Sequence, residues 1–249
     1  MTSQSTPSLP LLRQLGIMDL NRKQQRMLGN EEIHTWVFSY HDLFNKPLLP
    51  KSLSDLELER AELFASKTLS DKYSFARGAL RAVLAQYTCV LPEEVCFTYS
   101  GDGKPLINNR PLFFNLSHSG ELVFIAVSEA YDLGVDVEYL RPIPEALSIA
   151  GNWFSEMERQ WISTSSSKDQ AFLRCWVIRE AFVKAVGCGL KLPLDSFGVL
   201  LPEFMPSVKE CEGIARLPAI TKHVQCDDVQ ILELTLKSNY LAAIAALRV

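Results

Sequence analysis

No stretch of the 249 residues approaches the roughly 20 consecutive apolar side chains that a membrane-spanning helix needs. The N-terminus has no charged start leading into a clean apolar run. Met1 to Pro10 is rich in Ser, Thr and Pro, and Arg13 interrupts the apolar residues beyond it, so a secretory signal is not expected. Cysteine is sparse: Cys89, Cys96, Cys175, Cys188, Cys211 and Cys226 include no Cys-x-x-Cys pair. That disfavours a zinc site and suits reduced core thiols in a cytoplasmic protein. Positive charge is in deficit, with 25 Lys and Arg against 29 Asp and Glu for a net charge of −4. Broad, sequence-independent nucleic-acid binding, which relies on a positive field, is thereby excluded. An anionic ligand has to be held by a local basic pocket.

The composition that is present, 47% hydrophobic, 10% aromatic and 22% charged, is that of an ordinary folded protein. Residues 1–32 read as a leader, with a short helix expected around Asn21 to Leu28. Alternation predicts a strand over Ile33 to Tyr40, and a Leu-Ser-Asp start predicts a helix over Leu53 to Phe64. Ser74 to Tyr87 carries apolar residues at steps of three and four, with Arg77 and Arg81 together on another side. Short strands are expected at Val95 to Tyr99, Phe113 to Leu116, Leu122 to Ser128 and Gly134 to Tyr139, with Ser117-His118-Ser119-Gly120 as a turn. Arg141 to Glu145 reads as a link. Ile149 to Phe154 and Ser155 to Ser163 read as helices, the second opened by a capping box of Ser155 and Glu158. After the polar loop Thr164 to Lys168, a long helix over Ala171 to Val186 ends at Gly187 and Gly189. Val229 to Leu236 and Tyr240 to Leu247 close the chain as strands. Leu91-Pro92-Glu93-Glu94 and Leu192-Pro193-Leu194-Asp195 each come after a long helix, an echo that divides the chain into 33–133 and 134–249. Each half would be a helix-on-sheet unit, giving an α+β protein.

Four features carry chemistry. In Gly134-Val135-Asp136-Val137-Glu138, strand periodicity puts Asp136 and Glu138 on one face and the valines on the other. Neighbouring carboxylates repel unless a shared cation intervenes, and their hard oxygens suit Mg²⁺. Trp176, Glu180 and Lys184 are four apart and line one helical stripe, which offers a further acid and a phosphate clamp. Phe114-Asn115-Leu116-Ser117-His118-Ser119-Gly120 sets a histidine between hydroxyls, a donor arrangement for an anion. Arg60, Lys72, Arg77, Arg81 and Lys104 supply cations in the first half, Lys104 from the tight turn Gly101-Asp102-Gly103-Lys104-Pro105. Taken singly, each has a structural explanation: a solvated strand face, a helix ion pair, a capped turn, scattered surface cations. A Ser-His-acid hydrolase is disfavoured, since adjacent Ser117 and His118 point apart and no Gly-x-Ser-x-Gly elbow exists.

Taken in order, Gly-Lys-Pro, Asn-Leu-Ser-His-Ser, Gly-Val-Asp-Val-Glu and Trp-x-x-x-Glu-Ala-x-x-Lys-Ala-x-Gly-x-Gly-Leu resemble the 4′-phosphopantetheinyl transferase family in its long, two-half Sfp form. The resemblance runs from about Ile33 to the end and is strongest over Phe75 to Phe197. It implies two similar halves related by a pseudo-two-fold axis, with coenzyme A and Mg²⁺ bound between them. The implied reaction moves the phosphopantetheine arm of coenzyme A to a serine of an apo acyl or peptidyl carrier protein and releases 3′,5′-ADP. By position, Asp136, Glu138 and Glu180 resemble metal ligands, Glu180 being alternatively the base. Lys184 resembles the lysine on the transferring phosphate, and His118 the histidine on the pyrophosphate. Ser117 and Gly103-Lys104-Pro105 resemble contacts to the 3′-phosphate and adenine, with Arg60, Lys72, Arg77 and Arg81 as looser matches around the nucleotide. The family usually has Lys before the Glu-Ala pair where this chain has Arg179, a planar fork in place of a point charge, expected here only to offset charge. An acidic carrier would dock near Ile149 to Phe154, through an exposed Trp153 or Phe154, or near Thr164 to Lys168. A monomer is expected, because two fused halves need no partner copy. The competing readings are a Mg²⁺-dependent phosphohydrolase acting on coenzyme A or nucleotides, and a non-catalytic binding module.

Overall fold

A computed structural model describes residues 10–15, 20, 25–43, 52–108, 111–187, 197–199, 219–221 and 229–249. Strands β1 (Leu11–Leu15) and β2 (Glu32–Ser39) pair in parallel, and β2 pairs antiparallel with β6 (Leu122–Ser128), which pairs with β5 (Phe113–Ser119). This sheet has the order β1-β2-β6-β5. A second sheet has the order β10-β11-β7, with β7 at Tyr131–Tyr139, β10 at Val229–Leu234 and β11 at Tyr240–Arg248, all antiparallel. Among the described residues two further antiparallel pairs are formed: β3 (Phe97–Tyr99) with β4 (Pro105–Ile107), and β8 (Phe197–Val199) with β9 (Ala219–Thr221). The α-helices among the described residues are α1 (Tyr40–Leu43), α2 (Asp55–Glu62), α3 (Lys67–Thr88), α4 (Ala146–Trp153), α5 (Glu156–Thr164) and α6 (Lys168–Val186). The protein is α+β, as its sequence pattern predicts.

Strand alternation builds the layers. On β2, Trp36 and Phe38 pack with Ala79, Leu80, Val83 and Leu84 of α3, while Ile33 points to the opposite face and packs with Leu133, Val135 and Val137 of β7. On β11, Ala243 and Ala245 join the core under α6, whereas Ala242, Ile244 and Ala246 join the core between the sheets. The order is therefore helix, sheet, sheet, helix, with the central strands β2, β6, β7 and β11 burying both faces. None of the described helices is long and apolar enough to cross a membrane.

One close approach fixes α6 on β7. A Cβ added at Gly134 would lie 1.9 Å from the Ala181 carbonyl oxygen and 2.2 Å from the Ala185 amide nitrogen. Only a residue without a side chain lets the helix backbone lie this near the strand.

The structure corrects several expectations. Ser117-His118-Ser119 is not a turn; β5 continues through Ser119, and the reversal is confined to Gly120 and Glu121, with Gly120 at φ +55°. The backbone groups of these residues find ladder partners on β6, so pairing overrides the turn-forming side chains. Helix α3 begins seven residues before the expected Ser74, because Ser66 caps it by accepting from the Leu69 amide. Residues 25–28 form no helix, and 21–24 lie outside the described residues, as do Gly189 and the Leu192 to Asp195 echo. Cys175 is buried, but Cys89 and Cys96 are exposed, against the expected core placement.

Gly134→Ala should separate α6 from β7 and destabilise the protein by about 2–4 kcal/mol, as overpacking against rigid backbone does. A shift in the urea midpoint measures it, and an unchanged midpoint would show that α6 is not seated on this strand.

Candidate functional site

The site lies where β5 and α6 meet β7. β5 and β7 are tied by side chains that advance in the same chain direction: the Val135 amide donates to Asn115 Oδ1 at 3.0 Å, Ser117 Oγ to Asp136 Oδ1 at 2.8 Å and Ser119 Oγ to Glu138 Oε2 at 2.7 Å. From the helix, Lys184 Nζ donates to Asp136 Oδ1 at 2.6 Å, the Val135 carbonyl at 3.1 Å and Ser117 Oγ at 3.2 Å. Asp136 is only 5% exposed. Its Oδ1 has two donors, yet its Oδ2 is buried with no hydrogen-bond partner.

Burial is the strongest influence on both inner acids. It pushes the Asp136 carboxyl above the ordinary value, against the pull of Lys184 and Ser117, and Glu138 adds to the rise. Glu180 is also raised, first by burial; Lys184 opposes, while the charges of Asp136 and Glu138 add. The three carboxylates therefore share one electrostatic environment. Among the described residues, however, no three His, Cys, Asp or Glu side chains stand close enough to form a ready-made cation cage. What the site offers a hard cation is the orphaned Asp136 Oδ2 and its strand neighbour Glu138. An unsatisfied buried carboxylate oxygen is costly in isolation and fits a Mg²⁺ held by one or two carboxylates, with its remaining positions left to water and phosphate. Glu138 is also held by Arg141, whose Nη1 donates to Oε2 at 2.9 Å.

His118 comes directly after Ser117 on β5 and is exposed at its edge. Partial desolvation, then the nearby Lys184 and Lys72 ammoniums, hold its imidazole below the ordinary pKa, and Glu138 opposes them. The structure thus gathers Asp136, Glu138, Glu180, Lys184, Ser117 and His118. Of the other expected cations, Lys72 stands at the edge of the site, near His118, and the rest lie elsewhere. Lys72 Nζ donates to the Gly120 carbonyl at 2.7 Å and Glu121 Oε1 at 3.2 Å. Arg60 lies exposed over the Tyr73 ring, 5.9 Å from its centroid. Arg77 and Arg81 both donate through Nε to Glu57 at 2.6 Å, and Arg81 Nη1 also reaches the Pro92 and Val95 carbonyls. Lys104 is not the presented cation that its turn suggests, since its side chain is 9% exposed. Pro105 opens β4 beside it, and Gly103 sits at φ +83° in the turn.

The comparisons with known proteins bear on this arrangement. Residues 132–244, which carry both strand acids, Glu180 and Lys184, match the family model of the 4′-phosphopantetheinyl transferase superfamily. 4′-Phosphopantetheinyl transferase HetI of Nostoc sp. is 34% identical over 170 residues, covering 66% of this chain and 72% of the relative. The chain belongs to the 4′-phosphopantetheinyl transferase superfamily. Sfp of Bacillus subtilis is 32% identical over 152 residues, 60% of this chain and 66% of its own length. AcpT of Salmonella typhimurium is 35% identical over 135 residues, 53% of this chain and 68% of its own length.

Within the superfamily, the Arg179 departure has a structural explanation. Arg179 is 1% exposed and turned away from the site. Its Nη1 donates to Glu158 Oε1 and Oε2 at 2.6 and 2.7 Å, and its Nη2 to the Trp153 and Phe197 carbonyls at 2.9 and 3.0 Å. The guanidinium lies 4.7 and 4.5 Å from the Phe154 and Phe197 ring centroids. A planar fork satisfies acceptors on two sides while stacking on rings, which an ammonium does less well. Phe154 is buried at 4% exposure, so of the two expected docking aromatics only Trp153, at 47%, is open.

Sequence reasoning gave no role to Asn115, Ser119 or Arg141. A strand period carried through Asn115, Ser117 and Ser119 would have placed all three β5 side chains on the face toward β7.

Arg179→Lys should lower stability by about 1–3 kcal/mol through the lost carbonyl contacts, measured by chemical denaturation, with activity per folded molecule nearly kept. Glu57 generates a pH prediction. Burial pushes its carboxyl up, but the Ser54 amide and the Arg77 and Arg81 guanidiniums outweigh that and hold it below 4.5. Its contribution is therefore full above the unfolded value and is lost as pH falls through the folded one. Glu57→Gln should flatten the acid limb of stability against pH, and a limb identical to that of the parent would disprove the assignment.

Proposed function

We propose that the protein transfers the 4′-phosphopantetheine arm of coenzyme A to a serine of an apo acyl or peptidyl carrier protein, releasing 3′,5′-ADP. The observation that supports this most is the buried, half-satisfied Asp136 on the strand that faces Lys184, within the segment matched to the superfamily. On this reading Asp136 and Glu138 hold a Mg²⁺, and Glu180 faces the same region. Held there, Mg²⁺ would supply charge neutralisation at the pyrophosphate and Lewis-acid polarisation of the phosphorus.

The chain's own residues supply the rest. Among the described residues none hydrogen-bonds to the Glu180 carboxylate, which leaves it available to take the proton of the attacking serine hydroxyl. The serine oxygen forms its bond to phosphorus as the bond to the oxygen of 3′,5′-ADP breaks. Lys184 steadies negative charge on the phosphoryl oxygens, exchanging its longest contact, the Ser117 hydroxyl at 3.2 Å, for the substrate. His118, open at the edge of β5, donates to the pyrophosphate. A site between two similar halves is part of the proposal. Its support is a repeated pattern: Ser54, Glu57 and Arg81 on α2 and α3 correspond in chemistry to Ser155, Glu158 and Arg179 on α5 and α6.

Incubation with coenzyme A, Mg²⁺ and an apo carrier should add one phosphopantetheine to the carrier, read by mass spectrometry. Cleavage of coenzyme A without a carrier would instead indicate a hydrolase. Asp136→Ala should lower transfer at least about 100-fold, the scale expected when a charged group at the reacting phosphorus is lost. Full activity of that variant at saturating Mg²⁺ would remove Asp136 from the site.

A further inference from the structure

We infer that Lys104 is a positioning residue for the transfer, a strap that seats the last turn of α6 on β7, and is not a contact to the nucleotide phosphates. The inference rests on the transferase reading above and assigns Lys104 a role different from the one its Gly-Lys-Pro motif implies. Lys104 Nζ donates to Asp132 Oδ1 at 2.5 Å and to the Ala185 carbonyl at 2.9 Å. These acceptors lie on the two elements that make the site. Asp132 is near the start of β7, on the same strand face as Asp136, and Ala185 comes directly after Lys184 in the last turn of α6.

The placement is built from both sides. The turn is closed by three bonds: Gly103 N to the Ser100 carbonyl and Ser100 N to the Lys104 carbonyl, both 2.9 Å, and Lys104 N to Ser100 Oγ at 3.0 Å. That leaves the Lys104 backbone little freedom. The Lys104 stem then runs beside the left-handed cap of α6, where a Cβ on Gly187 would lie 3.4 Å from Lys104 Cδ. The last four carbonyls of a helix lack donors from their own helix, and a cation there also meets the negative end of the helix dipole. Moving Lys104 to a phosphate would strip the Ala185 carbonyl and Asp132 of this donor. The strap works beside the Lys184–Asp136 pair in tying this turn to β7. The Gly134 contact and the donation from Lys184 to the Val135 carbonyl act at the same seam.

The test compares Lys104→Met, Asp132→Asn and the double variant, with coenzyme A and 3′-dephospho-coenzyme A as alternative substrates. For Lys104→Met, kcat should fall roughly tenfold, since small misplacements of catalytic groups are costly, while KM for coenzyme A changes less than about twofold. The preference for coenzyme A over its 3′-dephospho form should stay at the parental ratio. Asp132→Asn should also lower kcat, and the double variant should be no worse than Lys104→Met alone, because both remove one strap. A preference that collapses in Lys104→Met, or parental kinetics in Asp132→Asn, would overturn the inference. Asp132→Asn keeps the lysine, so it remains informative if Lys104→Met folds poorly. If the parent protein transfers nothing, the transferase reading fails separately. Amide exchange over 183–187 then still decides the strap: faster exchange in either variant supports it, and unchanged exchange overturns it.

Discussion

The arrangement depends on one ion pair between a buried acid and a half-buried lysine. Asp136 and Lys184 meet at 2.6 Å with the acid almost wholly removed from water. Burying a charge costs several kcal/mol, and attraction to a partner offsets this only where geometry is well held and other hydrogen bonds are made. The molecule meets that condition by fixing both elements. Gly134 lets α6 approach β7 to backbone contact, Ser117 reaches across from β5, and the Val135 carbonyl takes a second lysine proton. Even so, one carboxylate oxygen stays unsatisfied. Apolar side chains of similar volume would seat α6 with less electrostatic cost, so the pair is better understood through its chemistry than through stability.

The buried arginines explain how the long helices are held without drawing on the site. In each case a capping-box glutamate at the third position of a short helix is taken over by an arginine from the next long helix: Glu57 by Arg81, Glu158 by Arg179. Each arginine then satisfies backbone carbonyls and lies against a phenylalanine, Phe97 in one case and Phe154 with Phe197 in the other. A glutamate that both caps a helix and neutralises an arginine cannot be lost without orphaning several groups at once. These arginines are therefore structural cations, and counting basic residues in the sequence overstates what is free to meet an anion.

This separates what was legible in the sequence from what was not. Local signals were readable: the Val135 and Val137 alternation, the capping box at Ser155, and the Gly187 stop of α6 all arise from short-range physics. The pairing of Asp136 with Glu138, and of Glu180 with Lys184, was readable for the same reason. Partnerships at long separation were not. That Arg81 belongs to Glu57, Arg179 to Glu158 and Lys104 to Asp132 depends on tertiary placement that periodicity does not encode. The Ser-His-Ser segment misled for a related reason, because its turn chemistry was outweighed by backbone pairing with β6.

The remaining question is how a chain with net charge −4 handles an anion as dense as a pyrophosphate. Around the seam stand Asp136, Glu138 and Glu180, against Lys184 and Arg141, each of which is already engaged with one of those acids. Left to these groups, the local field is at best neutral and repels an incoming phosphate. Arg77, Arg81 and Lys104 do not redress it, since the two arginines are engaged with Glu57 and the lysine with Asp132. On the proposed reading the missing positive charge belongs to the divalent ion, and the nucleotide and the ion favour each other's binding. The acids that seem out of place in a phosphate site are then the reason that it can be one.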